Sequence, residues 1–147
     1  TDAHRQLLPH RSVQVLLFDA ENRLYLQRRS KKRRFYGGRW DISARGHVHV
    51  NEAAHDAAFR TLRYQLGLNV DKMQHIRQLP ACAETGHEFV SLYVAKSLRQ
   101  PSPNPEVASE GYFYTQEELT CLVRDFRELL TPGLVTLWES GLAFPVS

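Results

Sequence analysis

Along the chain, apolar and polar positions fall into two periods. The run Val13-Gln14-Val15-Leu16-Leu17-Phe18 is β-branched and apolar, Asp19-Ala20-Glu21-Asn22 is a polar turn, and Arg23-Leu24-Tyr25-Leu26-Gln27 alternates. That spacing predicts a β-hairpin. Residues 28–39 carry the Gly37-Gly38 pair and read as a loop between strands, and Trp40-Asp41-Ile42-Ser43 resumes a short strand. The period then changes. Ala53, Ala54, Ala57, Ala58, Leu62 and Leu66 recur at helical spacing, with Asn51 as the expected cap, Glu52 at the positive end and Gly67 as the stop. Lys72 to Leu79 and Glu88 to Ala95 read as two further strands, separated from Gly111-Tyr112-Phe113-Tyr114 by the three prolines of residues 100–105. Thr115 stands three before Glu118 as in a capping box, and Pro132 fits the first turn of a last helix. Strands, helix, strands, helices in that order predict an α+β fold, a mixed sheet with helices on both faces in an α/β/α sandwich.

At 147 residues and 42% hydrophobic, the chain holds one well-buried core, and a single domain over residues 1–147 is expected. No apolar stretch approaches the length of a membrane helix, and the first residues lack a secretory apolar run, so the expected location is cytoplasmic. Because residue 1 is Thr, a trimmed chain or a piece of a longer one is expected. Cys82 and Cys121 lack zinc or redox spacing and read as reduced, structural thiols.

Charge changes the picture at one place. Arg28-Arg29-Ser30-Lys31-Lys32-Arg33-Arg34 puts six cations in seven positions, within a net charge of only +3. Such a field draws phosphates and other anions, although a charge run is equally often a solvated loop. Seven residues do not make a nucleic-acid groove, and a nucleic-acid partner is not expected.

The segment from Gly46 to Leu68 resembles the Nudix box: Gly, five residues, Glu, seven residues, Arg-Glu, an apolar residue, any residue, Glu-Glu, any residue, Gly, apolar. Gly46, Glu52, Arg60, Leu62, Gly67 and Leu68 are in register. Around it, Pro9-His10-Arg11, Leu26-Gln27-Arg28-Arg29 and Gly38 to His47 are similar to the branch of that superfamily that includes isopentenyl-diphosphate isomerase, as is Leu62-Arg63-Tyr64-Gln65-Leu66-Gly67. The resemblance covers roughly residues 3–120 and implies the Nudix fold.

It also implies a chemistry that this chain alters. The box carboxylates lie on one helix face and hold magnesium against a diphosphate. Thr61, Tyr64 and Gln65 stand in their places, and none carries a negative charge. The family's divalent metal, magnesium or manganese, would therefore be bound weakly. The isomerase branch places a cysteine just before the Gly-His pair, where this chain has Arg45, so isomerase activity is not expected. The branch's histidine pattern remains at His10 and His47, with His4 one residue out of step and Glu88 at the family's strand glutamate. These four form a candidate metal set better suited to zinc, manganese or iron, and Glu88 and His47 are the candidate catalytic pair.

Arg28, Arg29, Arg45 and Trp40 are the candidate ligand contacts. Glu52 and Arg60 match the structural ion pair of the box, framed by Gly46 and Gly67, and bracing of that kind outlasts loss of metal. Glu84, Glu106 and Glu110 lie where relatives recruit other carboxylates. The aromatic and apolar residues of 112–138 read as core. Two functions follow. One is a pyrophosphate hydrolase-like domain acting on or binding a small organic pyrophosphate or nucleotide, with weak or absent turnover. The other is a non-catalytic ligand-sensing or interaction module, which keeps a pocket for a small phosphorylated ligand. Nudix relatives often pair through surfaces outside the box, so a homodimer is an expected form, although no residue singles out its surface.

Overall fold

A computed structural model describes residues 10–80 and 88–145. Seven strands form one mixed sheet. The central strand is β1 (His10–Phe18), which runs parallel to β6 (Glu88–Lys96) along its whole length, from His10 opposite Glu88 to Phe18 opposite Lys96. On its other side β1 is antiparallel to β4 (Ala44–His47), with Gln14 opposite Arg45. Beyond lie β2 (Leu24–Arg29), β3 (Trp40–Asp41) and β7 (Ala108–Tyr114), both of the last two paired antiparallel to β2. The opposite edge is β5 (Gln74–Leu79), antiparallel to β6.

Alternation along β1 sorts the core into two layers. Val13, Val15 and Leu17 pack with Tyr25, Tyr93 and Ala95 against Ala57, Ala58, Leu62 and Leu66 of helix α1 (Ala54–Leu66). Leu16 and Phe18 pack with Leu24, Leu26, Leu92 and Val94 on the other face. There they meet Leu119 and Val123 of α2 (Gln116–Asp125) and Leu134 and Leu137 of α3 (Pro132–Glu139). The α+β sandwich expected from the sequence is the fold observed.

Capping follows the sequence for α2 and α3 but not for α1. The Thr115–Glu118 capping box is complete, and the Leu134 N–H donates to Thr131 Oγ1 at 3.3 Å with Pro132 in the first turn. Asn51 does not cap α1: it sits at φ 65° in a turn closed by the Glu52 N–H donating to His49 O, and Ala53 occupies the cap position without a side-chain bond. Pairing of Glu52 with Arg60 folds residues 49–52 as that turn and delays the helix. Gly67 does end α1, at φ 66°, donating its N–H to Arg63 O.

Two further expectations change. The β1–β2 hairpin touches only at its turn, Phe18 opposite Leu24, before the strands diverge. Buried Ser43 fills the gap, its Oγ accepting from Leu17 N at 2.8 Å and donating to Tyr25 O at 2.6 Å. That wedge ends the short strand at Asp41 and starts β4, an element not foreseen from the sequence. The residues 112–138 are not uniformly core either. Leu130 and Leu134 are buried, whereas Tyr112, Phe126 and Leu129 are exposed because they lie on an edge strand and on the outer side of the last turns. Cys121 is an exposed free thiol; Cys82 lies outside the described residues.

Candidate functional site

Two of the arginines that the sequence singles out, Arg29 and Arg45, meet around one buried carboxylate. Asp41, at the end of β3, is 1% exposed, and its two oxygens accept from Arg45 Nη2 at 2.7 Å and Nε at 2.9 Å. Thr131 Oγ1 donates to it at 2.8 Å, the Ile42 N–H at 2.8 Å, and Arg29 Nη1 at 3.4 Å. Burial pushes the Asp41 carboxyl up, but the Arg45 guanidinium, Thr131 and the Ile42 N–H outweigh it and hold the group below the ordinary carboxylate range. Two guanidiniums thus share one carboxylate and leave a surplus positive charge. Burial, together with Arg33 and Arg45 nearby, pulls the Arg29 guanidinium down despite Asp41.

This cluster forms the base of a cavity of about 700 Å³. Arg33, Phe35 and Tyr36 of the basic loop wall one side, the start of α3 another, and Gln14, Leu79 and Glu88 the sheet side. The loop is folded, not loose: Arg29 Nε donates to Phe35 O, the Gly38 N–H to Arg29 O and the Arg39 N–H to Tyr36 O. Phe35 and Tyr36 are held 62% and 49% exposed, each with an arginine over its ring. At α3 the backbone comes so close that a Cβ on Gly133 would lie 2.8 Å from Arg45 Nη2.

No residue of α1 lines this cavity. Gln65, in a box-carboxylate position, is 8% exposed and clamps β4. Its Nε2 donates to Arg45 O at 2.6 Å, while its Oε1 accepts from Arg45 N at 3.3 Å and Gln27 Nε2 at 3.2 Å. An amide both donates and accepts in that manner, which an ionised carboxylate does not. Thr61 is buried against Gly46, where an added Cβ would meet its Oγ1 at 2.5 Å, and Tyr64 is 60% exposed. The box positions therefore do not fit a hard dication: they offer no charge, and one is engaged in holding a strand.

The histidine corner is partly assembled. His47 Nδ1 lies 3.4 Å from Glu88 Oε2, and the His10 ring centroid is 6.0 Å from that of His47. Among the described residues, no three His, Cys, Asp or Glu side chains stand close enough to hold a metal. His4 and Glu84 lie outside the described residues. Glu52 and Arg60 pair at 2.9 Å, and Arg60 Nη2 also donates to His47 O. The Arg60 hydrogen bonds and the His49 N–H hold the Glu52 carboxyl down at about 2.

Of the expected ligand contacts, Arg29 and Arg45 line the cavity, and Arg28 and Trp40 do not. Arg28 is spent on Gly38 O and on Glu110 at 3.2 Å. The Trp40 indole packs against Tyr112 and Tyr114, because strand alternation turns it away from Asp41. Asp41, Gln14, Thr131 and Gly133 were not foreseen. The one available signal was Asp41 itself, a carboxylate in a short strand four residues before Arg45.

A NUDIX domain family model matches residues 8–131. The chain belongs to the Nudix family. It is 30% identical over 126 residues to isopentenyl-diphosphate Delta-isomerase 2 of Aromatoleum aromaticum, covering 83% of this chain and 67% of that protein. It is 34% identical over 116 residues to the isopentenyl-diphosphate Delta-isomerase of Streptomyces griseus, covering 75% of this chain and 59% of the relative. The crystal structure of DR0079 from Deinococcus radiodurans superposes with a TM-score of 0.78 at 25% identity, covering 89% of this chain and 82% of that one. The NUDIX domain of Shewanella oneidensis NrtR, solved with ADP ribose, has the same fold, with a TM-score of 0.68 at 14% identity over 96% of both chains. Among the described residues, no helix of this Nudix chain is long and apolar enough to cross a membrane.

Proposed function

We propose that this Nudix chain binds a small organic pyrophosphate or nucleotide in the arginine-lined cavity and hydrolyses it slowly or not at all. The observation that carries the reading is the separation of charge from the box. Arg29, Arg33 and Arg45 face the cavity, while the box helix sends it no side chain and Gln65 is tied to the backbone of Arg45. Guanidinium edges suit phosphate oxygens, and the ligands named for its relatives, isopentenyl diphosphate and ADP ribose, both contain a pyrophosphate. Isomerisation is outside this reading, because Arg45 is a permanent cation held by Asp41 and moves no proton.

A second reading rests on the 3.4 Å approach of His47 to Glu88, with His10 beside them. There Glu88 serves as base toward a water and His47 orients it, giving residual hydrolysis. Phosphate release from nucleoside and isoprenoid diphosphates with magnesium, manganese, zinc or no added metal separates the two, alongside calorimetric titration with inorganic pyrophosphate. Pyrophosphate binding without metal-dependent turnover is the expected result. Metal-dependent turnover that collapses in Glu88→Gln would replace the binding reading with the catalytic one, and absence of pyrophosphate binding would end it.

A further inference from the structure

The run of cations that follows β2 divides into two parts. Arg28 and Arg29 are paired, with Glu110 at 3.2 Å and Asp41 at 3.4 Å. Lys31, Lys32, Arg33 and Arg34 make no ion pair among the described residues, and all four are exposed. Phe35 and Tyr36 follow them directly and are exposed as well. These four unpaired cations exceed the net charge of +3, so the remainder of the chain is net acidic. Positive charge concentrated at one tip of an otherwise acidic molecule orients that tip toward an anionic surface.

The backbone fixes these side chains outward. An added Cβ on Gly37 would lie 2.9 Å from Arg33 O, 3.0 Å from Lys31 O and 3.1 Å from Ser30 O, so the loop coils with its carbonyls around a residue that has no side chain. The Arg33 N–H donates to Ser30 O, and Arg29 Nε donates to Phe35 O. Oxygens turned inward leave residues 31–36 exposed, and the loop is ordered before any partner arrives.

We propose that this loop docks the protein on an anionic lipid bilayer, with its cations among the headgroups and the Phe35 and Tyr36 rings at the acyl boundary. Lys and Arg are drawn to the negative potential of such a surface, and aromatic rings settle at its interface. A peripheral contact of this kind needs no spanning helix. The placement of the rings favours a bilayer over a single-stranded nucleic acid. The Arg34 guanidinium carbon lies 5.3 Å from the Phe35 ring centroid, and that of Arg39 lies 5.3 Å from the Tyr36 centroid. An arginine over each ring takes a face on which a base would stack. Rings entering the acyl boundary need no free face, and arginines above them stay with the headgroup phosphates. Arg33, Phe35 and Tyr36 also wall the cavity, so docking brings the cavity close to the headgroup layer.

The test is sedimentation of the protein with sucrose-loaded vesicles. Mixed phosphatidylglycerol and phosphatidylcholine vesicles are expected to carry it down. Pure phosphatidylcholine vesicles, which bear a phosphate but no net charge, are expected not to, and phosphatidylserine should replace phosphatidylglycerol without loss. Lys32→Gln combined with Arg34→Gln removes two cations that do not line the cavity. At about fivefold per cation near the surface, this variant should bind anionic vesicles roughly twenty- to thirtyfold more weakly. Phe35→Ser leaves the charge unchanged and should weaken binding several-fold, and thermal unfolding verifies that both variants are folded. Equal binding to neutral vesicles, or variants that bind anionic vesicles as tightly as the parent, overturns the proposal. Retention on immobilised polyuridylate without sedimentation on vesicles overturns it too, and makes the loop a nucleic-acid contact instead.

Discussion

Gln65→Glu restores one box carboxylate by exchanging a single group, and the structure specifies what that exchange does. The amide donates to Arg45 O at 2.6 Å and accepts from Arg45 N and Gln27 Nε2. A carboxylate keeps the two accepted bonds but sets oxygen against oxygen at Arg45, in a site 8% exposed. Losing the donor from a buried carbonyl costs about 1–3 kcal/mol. The ceiling comes from protonation, because a neutral carboxyl reproduces both the donor and the acceptor of the amide. Holding a glutamate protonated at pH 7, about 2.7 units above its ordinary pKa, costs about 3.7 kcal/mol. The variant should therefore be destabilised by about 1–4 kcal/mol at pH 7, a fall of roughly 3–12 °C in Tm for a chain of this size.

The introduced carboxyl has its folded-state pKa raised above the unfolded value. The deficit is thus almost absent below pH 4 and grows as the pH rises toward the folded pKa. Urea unfolding of parent and variant from pH 4 to pH 8 measures it. A variant as stable as the parent at pH 7, or a deficit that does not change with pH, would refute the assignment of Gln65 as a two-way clamp.

Asp41→Asn removes the carboxylate shared by Arg29, Arg45 and Thr131. Breaking a buried pair of this kind is expected to cost about 2–4 kcal/mol, Arg45 being free to turn partly to solvent. Because the Asp41 pKa is depressed, its contribution is present above its ordinary value and lost as pH falls through the folded one, so the variant should show a flatter acid limb in urea melts between pH 2 and pH 6. Gly133→Ala puts a Cβ at 2.8 Å from Arg45 Nη2 while favouring the helix by up to about 1 kcal/mol. Displacing the guanidinium loosens its bond to Asp41 and offsets that gain, so stability should hold or fall modestly, and pyrophosphate affinity measured by titration should fall several-fold; unchanged affinity would remove Arg45 from the ligand contacts.

The alternation of Val13, Val15 and Leu17 against Leu16 and Phe18 is a local property, so both faces of the sheet were legible from sequence, as were the cap at Thr115 and the start of the last helix at Pro132. What remained hidden depends on partners distant along the chain. Ser43 looks like the end of a strand until β1 and β2 are seen to part around it. Asn51 looks like a cap until Glu52 is drawn to Arg60. The register of the box identified Arg45, Glu52 and Arg60, and the basic run identified Arg29. Gln14 looks like any polar residue in an amphipathic strand, and nothing local marks its place beside the cavity. Trp40 lies outside the cavity because its neighbour Asp41, not the indole, turns inward.

The parallel ladder between β1 and β6 begins at His10 opposite Glu88, two residues 78 positions apart in the chain. Its partner strand leaves the ribosome long after β1 and α1, and the entropy of closing so wide a loop must be met before any contact across it forms. The sheet wall of the cavity, with Gln14 on one of these strands and Glu88 on the other, is created by that closure. If the proposed function holds, ligand binding is therefore a late event in the history of each molecule, because a nascent chain without β6 lacks that wall of the cavity.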